Sequence, residues 1–161
     1  MISTIRGKRL GIAAAIAASI AVPSEGLRQY AYYDPPGILT VCYGSTTNVI
    51  SGKKYSIEEC KARLDKDMLS AVETVDKCAP GLPDNVLAAF GDAVYNIGPK
   101  IACDKTKSTA ARMLASGDIK GACNQLPRWN KSTIAGVSVE LPGLTKRREK
   151  EKSLCLFNER S

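Results

Sequence analysis

Residues 25–44 read EGLRQYAYYDPPGILTVCYG, with two short Tyr- and Val-rich segments on either side of Pro-Pro-Gly. The glycine that follows Glu25 is typical of a helix terminus, and Pro-Pro-Gly is typical of a tight turn. The pattern therefore predicts a helix end, a strand, a turn and a second strand that folds back on the first. Glu25 at the helix end and Asp34 at the turn can then face one cleft.

Two carboxylates across a cleft suit glycoside hydrolysis. That reaction needs one protonated acid for the leaving oxygen and one ionised partner for a water molecule or the sugar cation. The residues alone leave a structural role open, since a single glutamate near a helix terminus is usually solvated. A single aspartate before proline usually forms a turn.

The segment resembles the catalytic signature of the phage-type lysozymes, in which an aspartate and a threonine follow the glutamate at fixed spacings. Glu25, Asp34 and Thr40 match all three positions. Further family motifs follow in the same order: Tyr95-Asn96-Ile97-Gly98, Arg128-Trp129 and Pro142-Gly143-Leu144-Thr145-Lys146-Arg147-Arg148-Glu149. The resemblance runs from about Glu25 to Leu156. One departure is Ser45, where relatives often carry histidine; it removes a possible ion pair and leaves the three active-site positions intact.

The resemblance implies an α+β, lysozyme-like fold, in which a long helix joins a small β-containing lobe to a larger helical lobe. It also implies a muramidase that cleaves the β-1,4 bond between N-acetylmuramic acid and N-acetylglucosamine in peptidoglycan. Glu25 would be the general acid, and Asp34 with Thr40 would hold a water molecule beneath the sugar ring. Asn96 would either contact the sugar or cap its helix. No cofactor and no metal are expected, and the protein is expected to be a monomer.

The composition narrows the chemistry. The 161 residues include no histidine, which excludes Ser-His-Asp, Cys-His and histidine-based metal sites. The net charge of +7 suits a polyanion, and peptidoglycan carboxylates or an anionic bilayer surface fit better than nucleic acid, because no basic patch with interleaved aromatic residues is present. Residues 146–152 mix basic residues with two glutamates, which predicts a solvated helix face with ion pairs.

Six cysteines lack the C-x-x-C spacing of zinc or redox motifs. An even number on a chain with an export-like N-terminus favours disulfides over six buried free thiols, although six cysteines allow fifteen pairings. Pairs that join neighbouring predicted elements are Cys42–Cys60, Cys78–Cys103 and Cys123–Cys155.

The remaining elements follow from periodicity and breakers. A capping box at Ser56 and Glu59 predicts a long helix, whose apolar residues recur at helical spacing: Ile57, Cys60, Leu64, Met68, Ala71, Val72 and Val75. Asp84 is expected to cap a second helix that ends at Gly98. Two shorter helices are predicted at about 108–116 and 118–126, followed by a loop at 130–142 and a last helix after Gly143.

The N-terminal segment predicts export. Arg6, Lys8 and Arg9 precede the uncharged residues 10–22, which are shorter than the roughly twenty residues of a membrane span. Signal cleavage after Ala21 would leave Glu25 with almost no helix to hold it. We therefore expect an uncleaved signal anchor at 1–22 and a muramidase domain at 23–161, as in the signal-anchor-release endolysins that this layout resembles.

This arrangement predicts transient inner-membrane association through residues 10–22, with the tethered enzyme inactive and the released periplasmic enzyme active. No cysteine precedes Cys42, so the anchor itself cannot enter a disulfide switch. Two alternatives remain open from the sequence: a non-enzymatic cationic protein that binds murein or membrane on the same fold, and a chitinase-like hydrolase.

Overall fold

The computed structural model describes residues 2–157 and has the predicted α+β architecture. A β-hairpin and a second, smaller hairpin accompany a helical lobe. In chain order the elements are α1 (Ile2–Glu25), β1 (Arg28–Tyr33), β2 (Leu39–Cys42), α2 (Ile57–Cys78), α3 (Asp84–Ile97), α4 (Lys100–Cys103), α5 (Thr109–Ser116), α6 (Ile119–Gln125), a short 3-10 turn (Leu126–Arg128), β3 (Lys131–Ile134), β4 (Val137–Glu140) and α7 (Pro142–Cys155).

The first hairpin has the predicted strand–turn–strand form. β1 and β2 pair antiparallel, with Tyr32 opposite Thr40 and Tyr33 opposite Leu39. The register shifts between Arg28 and Tyr32, so the hairpin contains a bulge. Val41 within β2 also bridges to Ser45, just beyond the strand. The hairpin therefore ends in a tight loop that faces the end of α1.

Helix α2 begins with the predicted capping box. The Ser56 hydroxyl accepts a hydrogen bond from the Glu59 backbone N–H, and the Glu59 carboxylate accepts one from the Ser56 N–H. The predicted apolar face is buried except for Ile57, which is exposed because it lies on the first turn of the helix. Helix α3 is the centre of the core and is buried along most of its length.

Two expectations for local structure are wrong. Asp84 does not cap α3; Pro83 holds the N-cap position without a side-chain hydrogen bond, and Asp84 is the first helical residue. Residues 130–142 are not a loop, because they contain the antiparallel hairpin of β3 and β4. Ala135 and Gly136 join the strands with φ of 51° and 80°, the left-handed pair of a two-residue hairpin turn. This hairpin is largely exposed on both faces. Residues 137–140 alternate Val-Ser-Val-Glu, but residues 131–134 show no such alternation, so the strand signal is short.

Helix α1 lies against α2 and α3 and also touches α7. Its buried face consists mostly of small residues, which allow close helix packing: Leu10, Ala13, Ala17, Ile20 and Ala21. The helix is continuous across the expected boundary at 22/23. Within residues 2–157, no helix is both long and apolar enough to cross a membrane.

Three disulfides join neighbouring elements, in the pairs that the sequence predicts. Cys42–Cys60 connects β2 to α2, Cys78–Cys103 connects α2 to α4, and Cys123–Cys155 connects α6 to α7. None of them includes α1, so its position depends on packing and on polar contacts alone.

Candidate active site

Glu25 is the last residue of α1, at the junction with the first hairpin. Gly26 follows with a φ of 71°, a conformation that glycine adopts without strain, and its N–H donates to the Val22 carbonyl. The Glu25 side chain is 19% exposed. Its carboxylate is therefore mostly enclosed by the protein and is held by a helix that packs on the core.

Gly44 forms one wall around the Glu25 carboxylate. A Cβ atom at Gly44 would lie 2.9 Å from Glu25 Cδ and 3.0 Å from its Oε2, closer than real Cβ atoms come. The φ of 87° at Gly44 also disfavours any residue with a side chain. A side chain at position 44 would displace the Glu25 carboxylate and strain the backbone, so glycine suits the close approach of this loop.

Asp34 holds the turn of the first hairpin. Its N–H donates to the Ile38 carbonyl at 3.0 Å, and its own carbonyl accepts from the Gly37 N–H at 2.8 Å. Its Oδ1 accepts from the Ile38 N–H at 2.7 Å. Among residues 2–157, Oδ2 accepts no hydrogen bond, so half of the carboxylate is available to a ligand while the other half fixes its orientation.

Thr40 lies on β2 and is 3% exposed. Its hydroxyl donates to the Ile38 carbonyl at 2.8 Å. The hydroxyl proton is therefore used within the hairpin, and towards a ligand Thr40 can act only as an acceptor.

Tyr32 lies within the electrostatic influence of both carboxylates. Burial raises the pKa of Tyr32, and the negative charges of Glu25 and Asp34 raise it further, while Arg28 opposes the shift. Glu25 and Asp34 therefore both act on a side chain that lies opposite Thr40 in the sheet. Tyr32 is thus a common neighbour of the three sequence-predicted residues.

Tyr95 supports the same region from α3. Its hydroxyl donates to the Tyr43 carbonyl, and burial followed by the Glu25 charge raises its pKa far above the usual range. Tyr95 also lines a cavity of about 270 Å³, which adjoins Gly44 and carries the hydroxyl-bearing residues Thr46, Thr47, Ser70 and Thr74 together with Asp67. A cavity lined by hydroxyl groups beside an enclosed carboxylate suits a polyhydroxylated ligand.

Asn96 lies outside this group. Its Oδ1 accepts from Arg148 Nη2 at 2.8 Å, and the C-cap of α3 is Gly98 rather than Asn96. The helix-cap alternative for Asn96 is therefore wrong, because glycine takes the cap position with a φ of 90°. Contact between Asn96 and a sugar stays a prediction.

The charged residues of α7 form a buried network that the sequence interpretation missed. Arg147, Arg148 and Glu151 are at most 4% exposed, so the expected solvated face of residues 146–152 is wrong at these positions. Arg147 Nη1 donates to Glu25 Oε1. Its Nε and Nη2 donate to the two oxygens of Asp92 at 2.9 and 2.8 Å. The partners on α1 and α3 explain why these charges can leave water.

Burial and the hydrogen-bond partners set the ionisation of this network. Burial alone would raise the pKa of Asp92, but hydrogen bonds from Arg147 and Glu151 hold it below its usual range. Burial and the hydrogen bond to Asp92 raise the pKa of Glu151 well above its usual range. Arg147 therefore has Asp92 as its fully buried, ionised partner. Among residues 2–157, no cluster of three or more potential ligand side chains could hold a metal ion.

The α+β architecture and the acidic residues around its first hairpin are those of a lysozyme-like glycosidase. The family model of the phage lysozymes matches residues 23–151. A curated relative, the SAR-endolysin of Bacteriophage PS119, is 41% identical over 135 residues, which cover 83% of this chain and 77% of the relative. The chain belongs to the phage lysozyme family. It is an endolysin that degrades peptidoglycan, and a non-enzymatic role on the same fold is not favoured.

Two solved structures of one related protein differ in their similarity to this fold. The active form of the P1 phage endolysin Lyz aligns with a TM-score of 0.75 and 28% identity, over 89% of this chain and 86% of that chain. The secreted inactive form of the same endolysin aligns with a TM-score of 0.52 and 28% identity, over 70% and 78%. The arrangement of the present structure is thus closer to that of the active form.

Proposed function

We propose that this endolysin is a muramidase, which hydrolyses the β-1,4 bond between N-acetylmuramic acid and N-acetylglucosamine. Glu25 acts as the general acid and protonates the leaving oxygen. The observation that carries this role is the enclosure of its carboxylate at the end of α1, against Gly44 and Arg147. A proton donor must be held firmly to be effective, and the packed helix supplies that rigidity.

Asp34 and Thr40 position the attacking water. Asp34 Oδ2 is an acceptor, and Thr40 can only accept because its proton is donated to Ile38. A water molecule that donates one hydrogen to each of them presents its lone pair to the sugar. The ionised Asp34 also stabilises the positive charge that develops on the ring in the transition state. Asn96 contributes a substrate contact, and no cofactor or metal takes part.

Residues 10–22 have two successive roles in this proposal. In the nascent protein they anchor the chain in the inner membrane, and after release they form the middle of α1 on the domain. Three observations support this proposal. The buried face of α1 consists mostly of small residues, relatives carry the name SAR-endolysin, and the fold is more similar to the active form of the P1 enzyme than to its inactive form. An inserted anchor ends three residues before Glu25. It therefore pins the acid at the membrane surface, away from Asp34.

The proposed catalytic role is tested by clearing of permeabilised bacteria. Glu25→Gln keeps the shape of the side chain but cannot donate a proton, so lysis should fall by about 10²–10⁴-fold while the circular dichroism spectrum stays unchanged. Glu149→Gln is the matched control, because Glu149 is exposed on α7. A normally folded, fully active Glu25→Gln protein would remove the mechanism.

Product analysis tests the bond that is cleaved. Digested peptidoglycan is reduced with borohydride and analysed by mass spectrometry. Muramidase action gives fragments that end in reduced N-acetylmuramic acid. Fragments that end in reduced N-acetylglucosamine would contradict the proposed bond, and activity on chitin without activity on murein would favour the chitinase-like alternative.

A further inference from the structure

The contact between Glu25 and Arg147 raises a chemical difficulty for the proposed function. A general acid must hold its proton until the leaving oxygen takes it, but a guanidinium beside a carboxylate favours the ionised carboxylate. Arg147 is 4% exposed, so water screens its charge only weakly. A negative charge elsewhere in the protein has to offset the effect of the Arg147 cation on Glu25.

Asp92 is positioned to offset the charge of Arg147. It is 0% exposed and lies on α3, on the opposite side of Arg147 from Glu25. Two of the three guanidinium nitrogens donate to Asp92 and the third donates to Glu25. The planar guanidinium is thereby fixed, with one carboxylate on each side.

Among the described residues, the other charged groups near Glu25 make no hydrogen bond to Arg147. Asp67 on α2 acts with Glu25 on Tyr95, and Arg28 on β1 acts on Tyr32. Tyr32 on β1 and Tyr95 on α3 feel the Glu25 charge, but their raised pKa values keep both phenols neutral. Asp34 lies at the turn of the hairpin and also acts on Tyr32. Arg148 on α7 pairs with Glu151 rather than with Glu25.

We propose that Asp92 is a positioning residue of the reaction, which orients Arg147 and opposes its charge so that Glu25 keeps its proton at the working pH. Asp92 touches no substrate; it acts through Arg147. The proposal rests on the role of Glu25 as the general acid. Its signature is a change in the pH dependence of activity, which a purely structural aspartate would not cause.

The test is the alkaline limb of the activity–pH profile. Asp92→Asn keeps the shape and one acceptor but removes the charge, so Arg147 acts on Glu25 without opposition. The limb should move to lower pH by about one unit, the lower end of the effect of a neighbouring opposite charge. Asp76→Asn is the matched control, since Asp76 is another buried aspartate with an arginine partner, Arg6, at the far end of α1; its limb should stay in place.

A double variant keeps the test decisive if Asp92→Asn folds poorly. Asp92→Asn/Arg147→Gln removes both charges and so leaves no unpaired buried cation. Its limb should return to the wild-type position or lie above it. A double variant whose limb stays at the low pH of Asp92→Asn would show that Asp92 does not act through Arg147 and would overturn the proposal.

A direct titration separates this proposal from the proposed function. The ¹³C signal of the Glu25 carboxyl, assigned by its loss in Glu25→Gln, is followed against pH in wild type and in Asp92→Asn. If the signal changes at lower pH in the variant but the activity limb does not move, Glu25 is not the acid and the proposed function fails. If the signal changes at the same pH in both proteins, Asp92 does not oppose Arg147 and this inference fails.

Discussion

At the scale of single residues, the hydroxyl of Thr40 shows how the hairpin prepares a side chain for one role. Its proton is donated to the Ile38 carbonyl, and the same Ile38 donates its N–H to Asp34. One backbone residue thus orients both proposed water ligands. The turn is therefore part of the site and not only its support.

Thr40→Val should reduce activity by about tenfold, the equivalent of one hydrogen bond of roughly 1.4 kcal/mol to the attacking water. The melting temperature should fall by only a few degrees, because one lost internal hydrogen bond costs about 1 kcal/mol. Thr40→Ser keeps the hydroxyl and is the control for rate measurements. Equal rates in the valine and serine variants would assign Thr40 to the strand alone.

Ser45 illustrates how a departure from the family pattern is accommodated. Where relatives often carry histidine, Ser45 is 2% exposed and accepts from Arg63 Nη1 at 3.1 Å. Arg63 also donates to the carbonyls of Thr47 and Asn48, and its guanidinium lies 4.7 Å from the centre of the Tyr55 ring. The loop after β2 is therefore held by an arginine on α2.

Asp92 could have been suspected from sequence, although its partner could not. It interrupts the apolar run of α3, and a charge on a buried helix face needs a partner because desolvation is costly. Arg147 lies 55 residues further along the chain. Only the packing of α7 on α3 identifies Arg147 as the partner of Asp92. The charge pattern of residues 146–152 predicted a solvent-exposed helix face. A local pattern cannot show that carboxylates from α1 and α3 pack against that face.

At the scale of elements, secondary structure was predicted correctly where its sequence signal lies within a few neighbouring residues. The capping box and the first hairpin were predictable, since each depends on residues within one element or between chain neighbours. The disulfide pairs were a choice among fifteen, because two of them join elements that are separated by others in the chain. The β3–β4 hairpin was missed because the alternation Val-Ser-Val-Glu covers only four residues and residues 131–134 show none. The proposed catalytic residues follow only from the family resemblance, since the pair Glu25 and Asp34 alone also suits a helix end and a turn.

The prediction at the scale of elements concerns helix α1. Glu25 is its last residue, and the helix owes its position to the buried residues between Leu10 and Ala21. Active periplasmic enzyme should therefore keep these residues. Edman sequencing or intact mass of enzyme purified from the periplasm checks this. An N-terminus at Val22 would show ordinary signal cleavage and would exclude release of an intact anchor.

At the scale of the whole molecule, the proposed site depends on the position of one helix. The docked α1 places Glu25 against Gly44 and Arg147. Polar contacts reinforce the docked position at the other end of the helix. Arg6 pairs with the mostly buried Asp76 at 2.7 Å, and Arg9 donates to the Leu82 carbonyl. If residues 10–22 leave the membrane as proposed, α1 has complementary contacts on the domain from Arg6 near its start to Glu25 at its end.

Two alanines of α1 allow docking to be separated from membrane affinity. Ala17 is 0% exposed in the interface with the core, whereas Ala15 is exposed. Ala17→Leu and Ala15→Leu add the same apolar group, so both increase the affinity of residues 10–22 for a bilayer equally. Only Ala17→Leu overpacks the docked interface, which should lower the free energy of unfolding by about 1–3 kcal/mol.

In cells, both leucine variants should delay lysis, because both anchors leave the membrane more slowly. With purified protein and membrane-free peptidoglycan, Ala15→Leu should match wild type, whereas Ala17→Leu should lose activity because Glu25 is no longer held in place. Turbidity clearing and thermal unfolding measure the two effects side by side. Full activity of a destabilised Ala17→Leu protein would mean that Glu25 reaches its position without the docked helix, and the proposed coupling between anchor release and catalysis would then be wrong.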